Sequence, residues 1–134
     1  TASPDEVLRA ADEALVGSRG AVGGVLELDL AGKRASYASV GNVGFAAWSR
    51  HPMKPLAAPG ILGRRGAGKV RAFSFDLEEG DLLLLHTDGV ALRPGEPDPW
   101  QGDPDATARE VLSRWGKPED DALCIVARIA RGDP

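Results

Sequence analysis

The sequence is short of the residues that build most reactive sites. Cysteine occurs once, at Cys124, and histidine twice, at His51 and His86. One thiol excludes an internal disulfide, and with it the cross-linked framework of small secreted domains; a reducing, cytoplasmic setting is expected. His51, His86 and Cys124 lack the spacing of a zinc site, and Cys124 lies in a stretch expected to be buried. A Cys/His nucleophilic pair is possible on paper, but nothing in the spacing favours it. Long apolar runs are also missing. A stretch such as Leu82–Leu85 is strand-sized, far below the roughly 20 residues that span a bilayer, and no charged-then-apolar leader opens the chain. No membrane attachment is expected. The first residue is Thr1 rather than Met, which reads as a fragment or a processed product.

What is present is an ordinary globular composition. The chain has 134 residues, 43% hydrophobic and 27% charged, enough for one domain with a real core, taken here as a single partial domain over 1–134. The net charge of −4 is unevenly spread. Residues 1–71 carry ten Lys/Arg against six Asp/Glu, whereas residues 72–134 carry six against fourteen. An acidic half repels a phosphate backbone, so nucleic acid is not an expected partner. The same carboxylates either form a solvated surface or offer oxygen ligands to a hard cation such as Mg²⁺ or Mn²⁺.

Periodicity divides the chain into short elements. Ser3-Pro4-Asp5-Glu6 is a helix start, with Ser3 as cap, Pro4 in the first turn and Glu6 closing a capping box. Val7, Ala10, Ala11, Ala14 and Leu15 then form an apolar stripe that stops at Gly17–Gly20. From there the period is two. Leu26, Leu28 and Leu30 alternate with acids, and a turn at Ala31-Gly32-Lys33 leads into a strand over 34–40. Gly41-Asn42 breaks that strand before another ending near Trp48. Phe73, Phe75 and Leu77 alternate again, Glu78-Glu79-Gly80 turns, and Asp81–His86 reads as a buried strand. Residues 91–102, rich in proline, read as a loop. Asp103-Pro104 starts a second helix with Ala108, Val111, Leu112 and Trp115 as its stripe and Gly116 at its end. The last strand, 122–129, is apolar almost throughout and is expected to be central. Hairpin-length connections make the sheet mostly antiparallel.

Three features invite chemistry. Gly63–Lys69 fits seven positions of a phosphate-binding loop, but the Ser or Thr that should follow is Val70, and a strand follows instead of a helix. That match is accidental. It leaves a basic loop at Arg64-Arg65, expected to be mobile for want of apolar anchors. The third feature is a pair of acidic turns. Asp88 follows one buried strand in His86-Thr87-Asp88-Gly89-Val90, and Asp120 precedes another in Glu119-Asp120-Asp121-Ala122. Two carboxylates at the ends of adjacent strands suit a divalent cation, which can activate a water toward a phosphoryl group. Asp-Gly and Asp-Asp are also routine turn residues.

These segments resemble a family. Glu79-Gly80-Asp81-Leu82-Leu83-Leu84-Leu85-His86-Thr87-Asp88-Gly89-Val90 is similar to the "GD-x-LLL-x-(T/S)DG" segment of SpoIIE-like phosphatases, a branch of the type 2C metal-dependent protein serine/threonine phosphatases. Asp120-Asp121-Ala122 resembles that family's terminal "DD(A/T)" strand. Gly41-Asn42 and Pro59-Gly60-Ile61-Leu62-Gly63 resemble two further segments in the form found in the RsbX-like subgroup. The resemblance implies an α+β fold, a mostly antiparallel β-sandwich flanked by helices, with two Mn²⁺ or Mg²⁺ ions at one edge and no protein nucleophile. It makes Asp88 and Asp120 metal ligands, Asp121 a supporting ligand and Gly89 the residue that allows the turn presenting Asp88. It implies dephosphorylation of phosphoserine or phosphothreonine on a stress or sigma-factor signalling protein, such as a STAS-type anti-sigma-factor antagonist. One family segment has no counterpart. The "GD-G-x-G" motif, whose aspartate bridges both metals, is not matched in residues 1–40, so the domain reads as incomplete on its N-terminal side, with at most half a metal site. A non-catalytic, partner-binding pseudophosphatase is the alternative. Missing edge strands would expose unpaired backbone, so the chain alone is expected to dimerise or aggregate.

Overall fold

The computed structural model describes residues 2–64, 67–92 and 103–131. In order, the elements are α1 (Pro4–Ala14), β1 (Gly23–Asp29), β2 (Arg34–Val40), β3 (Gly44–Trp48), a short 3-10 helix (Ala67–Lys69), β4 (Phe73–Asp76), β5 (Leu82–His86), α2 (Pro104–Trp115) and β6 (Cys124–Arg128). The class is α+β, and every strand pair is antiparallel. The strands form two three-stranded sheets, ordered β1-β2-β4 and β3-β5-β6. Two compact units follow this division, residues 1–43 with 54–77 and residues 44–53 with 78–134.

In the first unit α1 covers a sheet whose middle strand is β2. The helix begins where Ser3 and Pro4 place it, but the capping box does not form. The Ser3 hydroxyl donates to Asp5 and Glu6 carboxylates, at 2.7 and 2.8 Å, and accepts no backbone N–H. The buried face also differs from the expected stripe. Leu8 is buried, with Ala11 and Leu15 against the same core, while Val7, Ala10 and Ala14 are exposed. Counting from Pro4 recovers this face, because Pro4, Leu8, Ala11 and Leu15 keep the three-and-four spacing. On β1 the leucine alternation does not mark a buried face either. Leu28 and Leu30 are exposed, since β1 is an edge strand and Leu30 lies in the turn. Ala67 and Val70 are buried in this core, so the basic loop is anchored by apolar residues on its C-terminal side. Arg65 and Gly66, on which the rest of that expectation falls, lie outside the described residues.

In the second unit α2 lies on the sheet β3-β5-β6. Asp103 caps the helix as expected, its carboxylate accepting the Ala106 N–H at 2.7 Å. Val111 is fully buried, but the other fully buried helix position is Thr107, whose hydroxyl donates to the Asp103 carbonyl at 3.0 Å; Leu112 is exposed. The middle strand is β5, and Leu82, Leu83 and Leu84 are all inaccessible. Among the described residues β6, expected to be central, pairs only with β5, and Leu123 and Ile125 are exposed. An apolar run marks burial only if both sheet faces and both edges are covered. The expected loop over 91–102 falls largely outside the described residues. Among the described residues no helix is long and apolar enough to cross a membrane.

Candidate functional site

The acidic turns stand in the second unit, and the backbone brings them together. β5 pairs with β6 through His86 opposite Cys124. Beyond that pair Thr87 keeps the two segments in register. Its N–H donates to the Leu123 carbonyl at 3.0 Å, and its hydroxyl oxygen accepts the Leu123 N–H at 3.0 Å. The chain then turns, closed by the Val90 N–H donating to the Thr87 carbonyl at 3.2 Å. The segment between α2 and β6 runs beside this turn. The Lys117 N–H donates to the Gly89 carbonyl at 2.7 Å, the Ala91 N–H to the Trp115 carbonyl at 2.7 Å, and Val90 bridges Gly116. A second turn closes through the Asp120 N–H, which donates to the Lys117 carbonyl at 3.3 Å. Asp88 sits on the first turn, Asp120 and Asp121 on or just after the second, and all three are exposed.

Gly89 sets how close the turns come. A Cβ there would run into the Asp121 carbonyl oxygen and stand 3.0 Å from the Ala122 Cα. These are backbone atoms that a rotamer change cannot move. Glycine is needed at this position for close approach of two main chains.

The donors have the right chemistry for a hard divalent cation, since carboxylate oxygens are what Mg²⁺ and Mn²⁺ prefer. Their number falls short. Among the described residues no group of three or more His, Cys, Asp or Glu is placed to hold a metal ion. No catalytic step follows from the turns alone.

The fold makes His86 and Cys124 cross-strand neighbours, which their distance in sequence conceals. They do not form a nucleophilic pair. His86 Nδ1 donates to the Thr87 carbonyl at 2.9 Å, and its ring occupies the space that a side chain on Gly44 would need. The Cys124 thiol donates to the Ala108 carbonyl at 3.5 Å, and burial pushes its pKa up, so it stays protonated rather than becoming a thiolate. The residue that the sequence reading passed over is Thr87. Its position between a buried strand and an acidic turn was the available signal.

The family model for Stage II sporulation protein E (SpoIIE) matches residues 1–130. Among solved structures, a chain from the bacterial stressosome, a modular system adapted to control secondary messenger signalling, matches with a TM-score of 0.82 at 29% identity, covering 91% of this chain and 66% of that one. The phosphatase domain of SpoIIE, a cell fate determinant of Bacillus subtilis, matches with a TM-score of 0.64 at 21% identity, over 99% of this chain and 70% of its own. RsbX in complex with magnesium matches with a TM-score of 0.72 at 24% identity, over 90% and 61%. At these identities the last two show a shared fold. The chain thus spans about two thirds of the length of the structures it matches. No curated protein matches it in sequence.

Proposed function

We propose, from the premise that this chain belongs to the SpoIIE family, that it is part of a metal-dependent phosphatase domain acting on phosphoserine or phosphothreonine in a cytoplasmic stress or sigma-factor signalling protein. The observation that carries the reading is the pinning of the Asp88 turn against the Asp120–Asp121 turn through Thr87, Gly89 and Lys117. Asp88 and Asp120 would hold a Mn²⁺ or Mg²⁺ ion, with Asp121 as a supporting carboxylate. Bound there, the ion supplies activation of water and neutralisation of phosphoryl charge. The work of this chain's own residues is placement. Thr87 fixes the register of the two segments, and Gly89 lets their main chains meet. The likeness to a stressosome chain and to RsbX supports a phosphorylated protein partner, of which a STAS-type antagonist is the example proposed.

A second reading is favoured by one observation: among the described residues no group of three or more His, Cys, Asp or Glu is placed to hold a metal ion. On it the same surface binds a partner without hydrolysis. The two are separated by titrating Mn²⁺ calorimetrically into the chain and into Asp88→Asn, beside hydrolysis of p-nitrophenyl phosphate. The metal reading expects Mn²⁺ binding that the substitution weakens at least tenfold, whatever the hydrolysis rate. Hydrolysis that needs Mn²⁺ and disappears in Asp88→Asn makes the chain sufficient as an enzyme. Absence of Mn²⁺ binding in the unsubstituted chain sinks the metal reading and leaves the regulatory one.

A further inference from the structure

His86 closes β5, half-buried, and its ring folds forward onto the next residue, Nδ1 donating to the Thr87 carbonyl at 2.9 Å. That carbonyl belongs to the peptide joining Thr87 to Asp88. A peptide is planar, so holding its oxygen also holds the Asp88 nitrogen, from which the aspartate is built. Two donors share the oxygen, which has a lone pair for each. The second is the Val90 N–H, which closes the turn at 3.2 Å. The imidazole bond has the ordinary N–H···O length, whereas the turn bond is at the long end of the range. The side chain supplies the shorter hold.

Space for the ring comes from β3. Gly44 stands opposite His86 across the β3–β5 ladder, and opposed residues of an antiparallel pair share one face of the sheet. A Cβ on Gly44 would overlap the ring at Cε1 and Nε2 and stand 2.9 Å from Cδ2. At Gly89 the obstacle is main chain; at Gly44 it is this one side chain. The glycine gives the imidazole its seat. We propose that His86, seated on Gly44, is a positioning residue for Asp88. Its Nδ1–H fixes the Thr87–Asp88 peptide and so keeps the Asp88 turn against the Asp120–Asp121 turn. The consequence for metal binding rests on the phosphatase reading; the hold on the turn does not.

The test separates the donor from the ring. His86→Phe keeps a ring without the N–H, and His86→Asn sets an amide N–H as many bonds from the backbone as Nδ1. The reporter is the Lys117 amide, whose bond to the Gly89 carbonyl joins the two turns. In EDTA its hydrogen exchange is expected to quicken about fivefold in His86→Phe, the factor of one net hydrogen bond, and to stay within about twofold of the parent in His86→Asn. Should His86→Phe fail to fold, Gly44→Ala unseats the ring with the histidine in place and is expected to match it. In the neutral ring, nitrogen chemical shifts should place the proton on Nδ1. Mn²⁺ affinity of the folded chain, titrated calorimetrically, should fall by a similar factor in His86→Phe and be kept in His86→Asn. A histidine that only supports the fold would change urea stability and leave that affinity alone. Unchanged Lys117 exchange overturns the proposal. So does His86→Asn behaving no better than His86→Phe, a neutral proton on Nε2, or Mn²⁺ affinity equal in His86→Phe and the parent. A parent chain that binds no Mn²⁺ sinks the phosphatase reading alone, and the exchange result then decides the role of His86.

Discussion

The two units repeat one plan and differ at one point. Each lays a helix on a three-stranded antiparallel sheet and buries the middle strand, β2 in one and β5 in the other. β2 ends at Gly41, whose φ of 89° turns the chain and whose N–H donates to the Ala58 carbonyl at 2.9 Å. The segment meeting that end carries alanine and proline. β5 runs through Thr87 to a turn at Asp88, and the segment meeting that turn carries two more aspartates, Asp120 and Asp121. Net charge follows the same division, with nine Lys/Arg against seven Asp/Glu in the first unit and seven against thirteen in the second. The sheet and helix are scaffold common to both. The units differ in what is pressed against the end of the middle strand.

The comparison assigns stability to the middle strand and little to the edge, and the largest expected effect tests that. Leu84, inaccessible beneath Val111 and Val90, should cost about 3 kcal/mol when truncated to alanine, from lost burial and the cavity left behind. Leu30, 65% exposed in the β1–β2 turn, should change stability by no more than about 0.5 kcal/mol on the same truncation. Urea unfolding of both variants measures this. Equal costs would break the distinction between core strand and edge.

A second test sharpens the difference at the strand ends. Gly89→Ala forces a methyl group into the Asp121 carbonyl, so a loss of about 2 kcal/mol is expected, as for overpacking. Gly68, in the first unit, has nothing within 4 Å of where its Cβ would be, and alanine there should stay within about 0.5 kcal/mol of the parent. If the phosphatase reading holds, Gly89→Ala should also weaken Mn²⁺ binding, because it moves the two turns apart while leaving every carboxylate in place. A glycine variant that loses stability and keeps full metal affinity would separate the packing from the site.

Local signals explain what could be read in advance. Both helix starts, the break at Gly41-Asn42, the turn at Gly80 and the buried run of β5 depend on residues close in sequence, and the structure has them. Two patterns leave the same thing open: the final strand reads as central because it is apolar, and the leucines of β1 alternate. Neither pattern reports which strand lies next to which, since edge position is set by long-range pairing. The acidic turns were legible as strand ends, yet their meeting depends on hydrogen bonds from Thr87, Lys117 and Ala91 to residues some 24 to 36 positions away. The cross-strand placement of His86 and Cys124 was hidden for the same reason.

The smallest effect separates two caps that look alike in sequence. Ser3-Pro4 and Asp103-Pro104 both read as cap and first turn, but only Asp103 accepts a backbone N–H. Asp103→Ala should therefore cost about 1 kcal/mol, and Ser3→Ala only a few tenths, roughly, by thermal or urea unfolding. Ser3 acts instead on its neighbour. Its hydroxyl bond, followed by the Arg9 guanidinium, holds the Asp5 carboxyl below the usual carboxylate range. A depressed folded-state pKa contributes stability that is present above the unfolded value and disappears as pH falls through the folded one. Removing the hydroxyl should let the Asp5 pKa rise toward its ordinary value, which carboxyl chemical shifts followed through an acid titration would register. The acid end of the stability profile should then flatten slightly. An unchanged Asp5 titration in Ser3→Ala would make Arg9 the main cause, and Arg9→Gln would then have to move what Ser3→Ala did not.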